Sequence, residues 1–179
     1  MAEIYSSSLR DKMNSLAREH GNKDPNLVYS ELAKLPGLEI IEERDTKTDQ
    51  TNYRCAEYAF KVRMGLEWTK TDQNKFWIDS NEYLTRQRFT EVEDPQNGDL
   101  IAYAAHTIDE AYPIFDDQDF WTFERRREAK PPYIKHVGVW ENGKVISKFN
   151  EGHVFKHKLD LVPTSFGNVV HFYRRNTQN

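Results

Sequence analysis

The chain carries one cysteine and, further along, a histidine opening a hairpin pattern, the two residue types that a thiol-based acyl transfer needs. Cys55 stands in Asn52-Tyr53-Arg54-Cys55-Ala56-Glu57-Tyr58-Ala59-Phe60, where polar residues give way to a helical pattern. His136 heads His136-Val137-Gly138-Val139-Trp140-Glu141-Asn142-Gly143-Lys144-Val145-Ile146-Ser147. A free thiol, with a pKa of about 8.5, is mostly protonated at neutral pH, and a helix N-terminus beside an imidazolium lowers that value. An acyl-enzyme also needs an oxyanion hole, for which the Cys55 backbone N–H is the natural donor, with a side chain from Asn52 or Tyr53. The competing reading makes Cys55 a small buried hydrophobe at the start of a core helix and His136 a strand histidine that moves no proton.

The elements that must hold these residues follow from periodicity. Leu9, Met13, Leu16 and Ala17 predict an amphipathic helix over Ser8–His20, with Arg10, Asp11, Lys12 and Arg18 outside. Ser6 to Ser8 offer its N-cap and Gly21 its stop. A second helix is expected from Pro25 to Leu35, ended by Pro36-Gly37, and a strand over Leu38–Glu42. Cys55 to Arg63 reads as a helix buried on more than one side, closed by Gly65, and residues 68–81 as loops with a short helix. Asp94-Pro95-Gln96-Asn97-Gly98-Asp99 is a turn cluster that launches the strand Leu100–Ala104. Asn142-Gly143 joins His136–Trp140 to Lys144–Phe149 as a hairpin, and Val154–His157 and Gly167–Arg174 supply further strands. Residues 106–132, acidic and aromatic before turning basic at Arg125-Arg126-Arg127, read as an insertion: a lid, a protein-docking segment or a satellite core. Helices followed by antiparallel strands make an α+β domain over residues 1–179, its first 50 residues an N-terminal helical segment.

Three pieces of this pattern resemble the NlpC-type papain-like cysteine hydrolases and the neighbouring CHAP amidases. They are the cysteine that opens a helix (Arg54-Cys55-Ala56-Glu57), the "GDL" strand (Gly98-Asp99-Leu100-Ile101) and the "HVG" hairpin from His136 to Ser147. The resemblance frames residues 52 to 149 and implies a papain-like fold with N-terminal helices and a small antiparallel sheet. It also implies Cys55 as nucleophile, His136 as base and, by position, Ser147 as the residue that orients the imidazole. Across a two-residue Asn142-Gly143 turn, Gly138 faces Ser147 and His136 faces Phe149, so His136 and Ser147 share a face as diagonal neighbours. Serine departs from the His, Asn or Asp usual there. It accepts from an imidazole N–H without offering a negative charge, and Asn150, Glu151 and His153 are the alternatives.

Composition sets the outer limits. The net charge of −4 argues against a nucleic-acid partner. Twenty-three aromatic residues (10 Phe, 9 Tyr, 4 Trp) offset a charged fraction of 30% and supply area for a core. One cysteine makes no intramolecular disulfide. Neither a signal peptide nor a transmembrane run is visible, so a cytoplasmic location is expected, with signal-independent delivery compatible. No cofactor and no metal are expected, since His106, His153, His157 and His171 have no second cysteine and no His-Glu-x-x-His motif beside them. The expected activity is hydrolysis of a peptide or isopeptide amide through a thioester, on a peptidoglycan peptide or a protein. The alternatives are a deamidase or acyltransferase using the same pair, or a binding module that keeps the fold without the chemistry.

Overall fold

Asn142 and Gly143 both adopt left-handed backbone angles, φ 53° and 74°, as the twist of a tight two-residue hairpin requires. The strands they join, β5 (Tyr133–Glu141) and β6 (Lys144–Lys148), lie near the middle of an eight-stranded sheet. The computed structural model describes residues 2–4, 7–19, 25–43, 54–111, 128–149 and 152–176. The other strands are β1 (Ala2–Glu3), β2 (Glu39–Glu42), β3 (Phe89–Val92), β4 (Leu100–Ala105), β7 (Val154–His157) and β8 (Val169–Arg175). Their order is β1-β8-β4-β5-β6-β7-β2, with β3 also paired to β8, and every pairing is antiparallel. The sheet is thus larger than the small one expected. Two strands that were not expected, β1 and β3, each find a ladder on β8.

Helices cover both faces of this mixed α and β architecture. On one face, α1 (Ser8–Glu19) and α2 (Pro25–Ala33) bring Met13, Val28, Tyr29 and Leu32 onto Ile101, Tyr103, Val170 and Phe172. On the other, α3 (Cys55–Glu57) runs on through a π turn over Tyr58–Arg63, and α4 (Lys70–Ile78) and α5 (Ser80–Arg86) follow. These pack Cys55, Ala59, Phe60, Phe76, Tyr83 and Leu84 against Leu100, Ala102, Val137 and Val139. A further short helix, α6, spans Ile108–Ala111. Strand β4 shows why two cores form: its side chains alternate, Leu100, Ala102 and Ala104 to the Cys55 side, Ile101 and Tyr103 to the α1 side.

Arg10, expected on the outer face of α1, is instead buried, at 1% exposure. Its guanidinium donates to the carbonyls of Val162, Gly167 and Ile4 at 2.9, 2.9 and 3.2 Å and to Asn168 Oδ1 at 3.0 Å. A five-donor fork can be buried where carbonyls converge on it, and the helical pattern carries no information about those loops. Segment 68–81 holds α4 and the start of α5 in place of loops and one short helix. Thr69 and Asp72 form a reciprocal capping box, which starts α4 although its apolar periodicity is weak. At the GDL turn, Asp99 is an anchor: both its carboxylate oxygens take Arg174 of β8, at 2.8 and 3.2 Å.

Candidate functional site

Cys55 begins α3 because Arg54, at φ −82° and ψ 174°, is still extended and its carbonyl accepts the first helical bond, from Tyr58 N–H. Ala56, Ala59 and Phe60 drive that helix onto the sheet, and Cys55 is carried with them to 5% exposure. It meets the sheet where the central hairpin opens. The β5–β6 ladder covers Val139 to Glu141, whereas β6 stays paired to β7 as far as Lys148. Beside that opening the Val137 N–H, the Ala56 N–H and the cysteine's own N–H reach the sulfur. These donors and the Arg54 charge favour thiolate, but burial dominates and pushes the Cys55 thiol up to about 11. At that value roughly one molecule in ten thousand is thiolate at pH 7. The expected lowering is reversed, because the sulfur faces the core.

His136 lies on β5 next to Val137 but points the other way. It pairs across the ladder with Tyr103, while Val137 pairs with Ala102, and those two β4 residues face opposite cores. The imidazole stacks on Phe166 with ring centroids 4.1 Å apart and meets Tyr103 and Phe149, each at 5.7 Å. It is 1% exposed, and its Nε2 has no hydrogen-bond partner among the described residues. Burial, then the neighbouring His157, holds its pKa well below the usual histidine range. The structure therefore does not bring Cys55 and His136 together: the sheet lies between the two side chains.

Ser147 does share the face of His136. A Cβ on Gly138 would lie 2.8 Å from the Ser147 Cβ, so the expected register across the hairpin is present. The hydroxyl, however, goes to His157, with Oγ 2.9 Å from Nε2. His157 Nδ1 lies 2.7 Å from the Lys158 carbonyl, which only accepts, so the proton sits on Nδ1 and Ser147 O–H donates to Nε2. Ser147 thus orients His157, a residue that the sequence marked only as a metal candidate. Burial lowers the His157 pKa to about 4, against the upward pull of the Lys158 carbonyl and of Asp160. Of the alternative orienting residues, His153 is buried beside Tyr29 and Phe155, while Asn150 and Glu151 lie outside the described residues. So do Asn52 and Tyr53, the expected oxyanion or substrate contacts, and residues 112–127 of the insertion. Among the described residues no three of His, Cys, Asp or Glu converge as metal ligands, and no helix is long and apolar enough to cross a membrane.

What opens outward at Cys55 is a cavity of about 270 Å³, lined by Arg54, Ala56 and Glu57 from the helix start and by Trp68, Gln73 and Trp77. Gln73 and Trp77 are one turn apart on α4, which explains their common direction. Cys55 is flanked by this cavity's residues, but its own side chain packs inward. The sequence held a signal for the pocket, two tryptophans either side of the Thr69–Asp72 capping box, but no feature linking them to Arg54. No family model, curated protein or solved structure matches this chain.

Proposed function

We propose that this chain is a binding module of papain-like ancestry in which the Cys55–His136 pair performs no acyl transfer, and that the cavity beside Cys55 is its ligand site. The single observation that carries the reading is the division of the pair between the two faces of the sheet. General-base catalysis needs the imidazole within hydrogen-bond reach of the thiol or one water away. Here His136 is packed among Tyr103, Phe149 and Phe166, and Ser147, its expected orienter, serves His157.

The test is alkylation of the folded chain by a small cysteine-directed electrophile across pH 5 to 10, with His136→Gln in parallel and folding checked by circular dichroism. The expected outcome is slow labelling that rises only above the free-thiol value of about 8.5 and does not change in the variant. Fast labelling with an inflection below that value, lost in His136→Gln, would overturn the reading.

A second reading retains a cysteine hydrolase acting on a peptide or protein amide. It is favoured by the three backbone N–H groups that reach the Cys55 sulfur, since donors to the sulfur favour the thiolate that such an enzyme needs. It requires β5 to shift by one residue, which would turn His136 to the Cys55 face. The irregularity of the β4–β5 ladder between Tyr103 and Ala104 marks where such a shift would start.

A further inference from the structure

We infer that the cavity at the start of the Cys55 helix is a site for a small zwitterion, its alkylated ammonium end against Trp68 and Trp77 and its anionic end on Arg54. The inference deepens the binding-module reading and rests on it for biological meaning. The cavity has two unlike walls. Arg54 and Glu57, three residues apart, put opposite charges on one side, with the small Ala56 between them. The rest of the lining is two half-buried indoles and the amide of Gln73.

The aromatic wall is held in place before any ligand arrives. Trp68 stacks on Phe60 at 4.9 Å and 12° and is met by Phe76 and Tyr83 at 6.0 and 5.6 Å, while Trp77 packs on Phe76 at 4.9 Å and 70°. Fixed indoles favour a cation through their ring quadrupole, and little ordering of the site is left for binding to drive. The Glu57 carboxylate adds to the attraction. It is 28% exposed and pairs at 3.2 Å with Lys61, one turn on and 55% exposed. An alkylated ammonium suits this wall better than a primary one, because its charge is spread and its methyl groups bury apolar surface on the indoles.

Arg54 excludes the simpler ligands. A plain cation meets its positive charge and a plain anion meets Glu57, whereas a ligand carrying both signs has a partner for each. A cavity of about 270 Å³ suits a molecule of amino-acid size. A neutral polyol, stacking its C–H face on an indole and bonding to Gln73, is the competing chemistry.

The experiment is a titration of the full chain, followed by tryptophan fluorescence and calorimetry, with glycine betaine, tetramethylammonium, acetate and glucose as probes. Betaine is expected to bind saturably, tetramethylammonium about tenfold more weakly, and acetate and glucose not at all. Glu57→Gln should weaken betaine and tetramethylammonium alike by about tenfold, and Arg54→Gln should reduce betaine to the level of tetramethylammonium. Trp77→Leu should abolish the fluorescence response. Glucose binding as tight as betaine, or no saturable response to any probe from the folded chain, overturns the assignment. Alkylation of Cys55 in the same samples separates the two readings. An inert thiol with an empty cavity removes the ligand class alone, and a fast, His136-dependent thiol removes the binding module.

Discussion

Cys55 and His136 were both legible in the sequence as reactive residue types, but the faces they occupy were hidden behind the motif. A signal existed. The helix that Cys55 opens is apolar at Ala56, Ala59 and Phe60, so it must pack on the valine face of β5, and Val137 and Val139 alternate with His136. What the alternation could not supply was a new partner for Ser147, because His157 arrives from β7 through a separate loop. This pair makes a residue-scale prediction. In Ser147→Ala, His157 Nε2 loses its donor inside the core, and the variant should be less stable by about 1–3 kcal/mol in urea unfolding. In a His157→Leu background the same substitution should cost much less, since no buried acceptor is left behind. Equal costs in the two backgrounds would show that the Ser147–His157 bond contributes nothing.

At the scale of elements, the hairpin and β4 were the most legible parts, because Asn142-Gly143 and the Pro95-to-Asp99 turn mark their ends chemically. Helices α4 and α5 were less so: Thr69 and Asp79 cap them through local bonds, at Asp72 N and Glu82 N, while their apolar faces are short. The close approach of β5 to β6 depends on one position. A Cβ on Gly138 would meet the Ile146 carbonyl, the Ser147 Cβ and the Val145 Cγ1, each at 2.8 Å. Two of those atoms cannot rotate away, so Gly138→Ala must push β5 and β6 apart beside Val137, whose N–H reaches the Cys55 sulfur. The expected result is a loss of roughly 1–3 kcal/mol in unfolding free energy. Faster alkylation of Cys55 should accompany it, as the Val137 N–H and the sulfur separate. Unchanged stability and unchanged labelling would mean that the packing of Cys55 on β5 does not depend on this contact.

At the scale of the whole molecule, the α1 face of the sheet encloses His136 and His157, and both are held neutral by burial. Around them stand Ser147 on β6, Tyr103 on β4, the Lys158 carbonyl and Asp160 after β7, and Phe166 from the turn before β8. Asp160 favours the protonated form of His157 without outweighing its burial. The direction of the pH dependence follows from the shifts. Unfolded histidines bind protons near pH 6.5, the folded pair only at lower pH, so acid favours the unfolded chain. The stability they contribute is complete above about pH 6.5 and is lost as pH falls toward the His157 value of about 4. For His157 alone the loss is about 3 kcal/mol by linkage, and His136 adds to it in the same sense. Urea midpoints measured from pH 7.5 down to 4 should therefore fall steeply. The fall should be shallower in His157→Gln, an amide that still accepts from Ser147. A profile as shallow in the parent chain as in His157→Gln would mean that the buried histidines take no part in acid unfolding, leaving the carboxylates to account for it.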